Sequence, residues 1–68
     1  METLLFTVPE VSKILKVEQP TVRRLIDKGL IKALRLGRIK VRKKEIDRFL
    51  EWAEGKDLND LDNIKELI

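Results

Sequence analysis

Apolar residues recur along the chain with two different periods, and the change of period marks out the elements. Val8, Val11, Ile14 and Leu15 follow three- and four-residue steps, which predicts a first helix over about residues 8–16 with one apolar face. Its start is written into "FTVPEV". Thr7 is placed to accept from the Glu10 amide while the Glu10 carboxylate reaches back to the Thr7 amide. Phe6 and Val11 take the staple positions on either side, and Pro9 falls in the first turn, where a missing donor costs little. A second helix is predicted within "VEQPTVRRLIDKGL", with Pro20 early in it and Gly29 placed to end it. Val22, Leu25 and Ile26 form its inward stripe, which leaves Gln19, Thr21, Arg23, Arg24 and Lys28 on or near the outward side. A third helix over about residues 43–53 carries Ile46, Phe49, Leu50 and Ala53 toward the core, with Gly55 as its stop and Trp52 partly exposed against the tail. In "KDLNDLDNIKELI" the apolar positions 58, 61, 64, 67 and 68 predict a fourth, short amphipathic helix.

Between the second and third helices the period drops to two. "RLGRIKVRKK" sets Leu36, Ile39 and Val41 among six cations, and Gly37-Arg38 between alternating runs predicts a tight hairpin. With a two-residue turn, Leu36 faces Ile39 and Leu34 faces Val41, so these four form an apolar face that lies on the helices. Arg35 then stands opposite Lys40 on the other face, with Arg42 beside them and Arg38 at the tip. In this register an Asp at Leu36 or Ile39 would face the core and unseat the hairpin. Like charges set opposite one another repel in a free sheet, and a phosphate backbone lying on that face would turn the repulsion into attraction. Only about three residues separate the first two helices. That is the spacing of a helix-turn-helix, whose second helix enters the major groove, although any helical hairpin can share it.

Charge sharpens the picture. The net charge is only +3, but residues 1–50 hold thirteen Lys and Arg against six Asp and Glu, a balance of +7, while residues 51–68 hold two against six, a balance of −4. The partner of the first part is therefore expected to be anionic. Lys43, Lys44 and Arg48 extend the basic surface. The acidic tail argues against contact with nucleic acid, and its stripe of aliphatics either folds back on the domain or meets a second chain. One helix of three turns is short for an independent coiled coil, which favours packing in cis or weak self-association on DNA.

Composition excludes several classes. The 68 residues contain no Cys and no His, so neither a disulfide nor a zinc site staples the fold and one small core must hold it. No apolar run approaches a membrane span, and "METLLFTVPE" lacks the build of a signal peptide. A soluble cytoplasmic protein without cofactor or metal is expected. The scattered carboxylates and small core leave no room for an enclosed catalytic pocket, so no enzyme activity is expected.

The stretch "LLFTVPEVSKILKVEQPTVRRLIDKGLIKALRLGRIKVRKKEIDRFL" resembles the excisionase-type, MerR-like winged-helix DNA-binding domains of bacteria, phages and mobile elements. The resemblance spans residues 4–53 and rests on the "LLFTVPEVSKIL" opening, on "TVRRLIDKGLI", and on the "LGR" turn followed by "VRKKEIDRFL". It implies a mainly α fold with a small β-hairpin, a winged helix-turn-helix over residues 1–55; the C-terminal amphipathic helix expected over residues 56–68 lies outside the resemblance. It also implies that Gln19, Thr21, Arg23, Arg24 and Lys28 belong to a recognition helix in the major groove, Arg24 directed more to bases and Arg23 more to phosphates. Arg35, Arg38, Lys40 and Arg42 would belong to a wing over the adjacent minor groove or backbone. The implied function is that of a recombination directionality factor, which binds adjacent sites on double-stranded DNA cooperatively, as a monomer or with weak self-association, and bends the DNA for an integrase. A small transcriptional regulator of the same fold is the nearest alternative. A basic protein-interaction module, binding DNA weakly and without regard to sequence, is the alternative from another class. Two departures from the family pattern stand out: Lys16 and Glu18 occupy positions usually held by Gly and by Ser or Thr, and the hairpin is about one residue shorter than usual.

Overall fold

A computed structural model describes residues 4–67. Its elements are β1 (Leu5–Thr7), α1 (Val8–Leu15), α2 (Gln19–Asp27), β2 (Leu34–Leu36), β3 (Arg38–Arg42), α3 (Lys43–Ala53), β4 (Lys56–Asp57) and β5 (Lys65–Glu66). The first three strands form an antiparallel sheet in the order β1-β3-β2, and β4 pairs with β5. The three helices and small sheet make a winged helix-turn-helix. Its core is Val8, Val11, Val22, Leu25, Ile31, Val41, Ile46 and Phe49, all buried.

The start of α1 forms as the sequence predicts. Thr7 Oγ1 accepts from the Glu10 amide at 3.4 Å, and the Glu10 carboxylate accepts from the Thr7 amide at 2.9 Å. The Thr7 amide and the Thr7 hydroxyl, which donates at 3.0 Å, both stabilise the charged carboxylate, so Glu10 titrates below its ordinary range, the amide being the leading cause. The face that α1 buries is shifted from the one its periodicity suggests. Ser12 is buried, its hydroxyl donating to the Pro9 carbonyl at 2.7 Å, while Ile14 is 43% exposed. The helix closes on Lys16 in the left-handed region, at φ 58° and ψ 41°, a conformation that costs a side-chain-bearing residue about 1 kcal/mol or more. Glu18 caps α2 without a side-chain hydrogen bond.

The hairpin departs from its expected register by one residue. Leu34 pairs with Lys40, Arg35 with Ile39 and Leu36 with Arg38. A type I′ two-residue turn needs positive φ at both central residues, and of Gly37 and Arg38 only Gly37, at φ 75°, adopts it. The turn thus closes on Gly37 alone. Since a slip of one residue moves a strand's side chains to the opposite face, Leu34 and Leu36 leave the core face, and Arg35 no longer stands opposite Lys40. Ile39 and Val41 keep their places because β1 holds β3 independently, with Phe6 opposite Val41. Leu36 is 63% exposed, so an Asp there would not meet the core.

In α3, Ile46 and Phe49 are buried and Ala53 packs beside them, but Leu50 turns outward. Trp52 takes part of that role, its ring 6.1 Å from Phe49 and packed on the core, with Lys56 Nζ 5.0 Å from its centroid. Residues 56–68 were expected to form a helix, and those described form the β4-β5 hairpin instead. The side chains that break the helix are the Asp residues: Asp57 Oδ1 accepts from the Asn59 amide at 3.0 Å and Asp60 Oδ1 from the Asp62 amide at 3.1 Å. Such local bonds offer the backbone an alternative to helical pairing. The tail does fold back on the domain, since Leu58 and Leu61 pack against the core and Leu67 N donates to Gly55 O at 2.8 Å. Ile68 lies outside the described residues.

Candidate nucleic-acid interface

The sharp turn between α1 and α2 sets the second helix across the first. Val17 N donates to Ser12 O at 3.0 Å and Thr21 N to Glu18 O at 3.0 Å, which closes the connection. Burying Val22 and Leu25 points Arg23 and Arg24 to solvent. An open groove then runs between the N-terminal half of α2 and the hairpin. Gln19 and Arg23 line it from the helix, Arg35, Gly37 and Arg38 from the hairpin, and Thr7 and Pro9 from the start of α1. The slip in register is what brings Arg35 to this groove, because it puts Arg35 on the side of Ile39.

The other residues singled out from sequence divide into groups. Arg24 is exposed and Thr21 half-buried on α2. Lys40 and Arg42 alternate with Ile39 and Val41 and so project from the opposite side of the sheet, where Arg42 and Lys44 border a second hollow around Glu45. Arg23, Arg24, Arg35, Arg38, Lys40 and Arg42 take part in no ion pair among the described residues. Three others do. Lys43 pairs with Asp47 at 3.7 Å. Lys28, at the end of α2, pairs with Asp62 of the tail, and that bond is the first cause of a lowered Asp62 pKa.

Arg48 is the third. It grips Glu45 through Nε at 2.8 Å and Nη2 at 2.7 Å, and the same Nη2 donates to Leu30 O at 2.7 Å, while Glu45 Oε2 accepts from Lys32 N at 2.8 Å. The guanidinium, followed by the Lys32 amide, holds Glu45 down at about 2 against an ordinary 4.5 and raises Arg48 in return. These two side chains tie the segment that joins α2 to β2 onto α3, so they fix where the hairpin stands relative to the helix. Sequence spacing placed Arg48 on the basic surface and gave Glu45 no part. Their i,i+3 spacing was visible, but the backbone partners were not.

The arrangement presents one exposed helix, one cationic hairpin and a groove between them. No group of His, Cys, Asp and Glu among the described residues could hold a metal ion. Among the described residues no helix is long and apolar enough to cross a membrane. Compared with known proteins, residues 5–51 match the model of a family described as a helix-turn-helix domain. No curated protein and no solved structure matches the chain.

Proposed function

The chain belongs to the helix-turn-helix domain family, of the excisionase type, and from that membership we propose that this DNA-binding protein reads a specific double-stranded site and acts as a recombination directionality factor. The observation that carries the reading is the cationic groove, in which Arg23 faces Arg35 and Arg38 with no carboxylate paired to any of them among the described residues. In the proposed complex α2 enters a major groove, which is wide enough for a helix, and the phosphate strand bordering it runs between α2 and the hairpin. Arg35 and Arg38 meet that strand, and the wing tip passes over it to the next minor groove. Gln19, Thr21 and Arg24 are then the side chains nearest base edges, and Arg23 is nearest phosphate. Arg42, Lys43 and Lys44 add a more distant positive field. The directionality role adds adjacent sites, a bend and an integrase partner. Helix-turn-helix DNA-binding domains are typically not enzymes, and this reading asks for no chemistry.

Enrichment of duplexes from a randomised pool tests the reading. A defined motif is expected, and Arg24→Ala is expected to lose about 1–3 kcal/mol on it with little change on random DNA, while Arg23→Ala weakens both. A pool from which no motif emerges would defeat sequence-specific binding and favour a basic protein-interaction module. A single site bound without bending, next to a promoter, would favour a transcriptional regulator instead.

A further inference from the structure

We propose that Leu36 is an apolar wedge at the wing tip, inserted from the minor groove between two base pairs so that the DNA kinks where the wing meets it. The proposal rests on the reading of the hairpin as a DNA-contacting wing and adds a residue that no basic pattern would single out. Leu36 is 63% exposed in a chain of 68 residues that can spare little apolar surface. The register slip puts it there. It lies on the sheet face away from Ile39 and Val41 and pairs with Arg38 across Gly37, the last pair before the turn. Its chain neighbour Arg35 and its strand partner Arg38 are both exposed and unpaired among the described residues. Leu4 and Leu67 are exposed to a similar degree, at 70% and 66%, Leu4 at the start of the described chain beside Leu5 and Leu67 beside Glu66 in the acidic tail. Of the three, Leu36 alone stands at a turn between two arginines that are unpaired among the described residues.

That combination selects its occupant by charge. The arginines bring the tip against a phosphate-lined groove, and the isobutyl group then has no polar partner to satisfy. Aliphatic side chains placed this way unstack a base step and kink the duplex toward the major groove. The cost of unstacking depends on sequence and is least at pyrimidine–purine steps. The wing therefore contributes specificity without a base hydrogen bond: it selects a TA or CA/TG step at a fixed distance from the site read by α2.

A duplex enriched by the parent protein, labelled at both ends for energy transfer and carrying 2-aminopurine at the candidate step, separates the two ideas. The parent is expected to bend the duplex and raise the fluorescence of the unstacked base. Leu36→Ala is expected to lose most of both signals and about tenfold in affinity, with the salt dependence of binding and the unfolding temperature unchanged. Leu36→Met, which keeps an apolar side chain of similar volume, is expected to restore them. The triple variant Arg35→Gln, Arg38→Gln, Lys40→Gln is expected to flatten the slope of log affinity against log salt by about 0.9 for each phosphate that is no longer neutralised. A straight parent complex, or a Leu36→Ala complex bent and bound like the parent, would overturn the wedge and leave the wing intact. An unchanged slope in the triple variant would overturn the wing, and the wedge with it.

Discussion

Replacing Glu45 by Gln removes a charge while keeping a side-chain oxygen that can still accept from the Lys32 amide. What is lost is the pairing with Arg48 at 2.7 to 2.8 Å. The folded-state pKa of about 2 against an ordinary 4.5 is nominally worth about 3 kcal/mol, at about 1.4 kcal/mol per pH unit. The Glu45 side chain is only 13% exposed but Arg48 is 48% exposed, and water screens a half-open pair, which brings the expectation to about 1–2 kcal/mol. For a domain of this size that is a fall of about 7–14 °C in unfolding temperature at neutral pH. The pH dependence has a fixed sign. Because folding lowers this pKa, the stabilisation is fully present above about 4.5 and is lost as pH falls through about 2. Urea unfolding of parent and Glu45→Gln side by side isolates the effect, since every other carboxylate titrates in both proteins. The two midpoints are expected to differ at pH 7 and converge toward pH 2. Equal midpoints at pH 7, or a gap that does not narrow with acid, would refute the clamp. Because Glu45 and Arg48 anchor the segment between α2 and β2, the same variant is also expected to bind DNA more weakly than its stability loss alone requires.

Two further outcomes follow from single positions. Lys16→Gly is expected to stabilise the fold by up to about 1 kcal/mol, since glycine meets no steric penalty at φ 58° and loses part of the gain to its freer unfolded chain; a raised urea midpoint with unchanged slope is the readout. Asp62→Asn releases Lys28, and is expected to tighten DNA binding at low salt and to steepen the salt dependence by about 0.9 if Lys28 then meets one phosphate; titrations at several salt concentrations would expose an unchanged slope.

Features of the fold set by neighbouring residues were legible in the sequence, and those set by distant partners were not. The Thr7–Glu10 cap and the span of α3 depend on residues three or four apart, and both form as read. The hairpin register depended on whether Arg38 would join Gly37 in a left-handed turn, and the shortened hairpin was the one sign against it. The tail misled because positions 58, 61, 64 and 67 keep helical spacing while Asp57 and Asp60 fold the backbone another way. The groove follows the same division. Arg23 could be assigned to the outer side of α2 from periodicity alone, whereas the approach of Arg35 required the true register, and the diversion of Lys28 and Arg48 toward Asp62 and Leu30 required the tertiary fold.

The order β1-β3-β2 also decides how the wing moves. Residues 5–7 clamp residues 40–42 from one side while residues 34–36 hold the other end of the same strand, and Lys43 N, at the start of α3, donates to Leu4 O at 3.0 Å. The wing's inner strand therefore cannot open without unzipping the first strand and loosening α3, which makes the sheet one cooperative unit in amide exchange. Its β1-β3 pairing joins segments distant in sequence across both intervening helices, so closing the sheet is expected to be slow relative to forming the helices. The β4-β5 hairpin shares no strand pairing with that sheet. Amides in residues 56–67 are expected to exchange in a separate and faster event than those of β3, which hydrogen-exchange measurements would read directly.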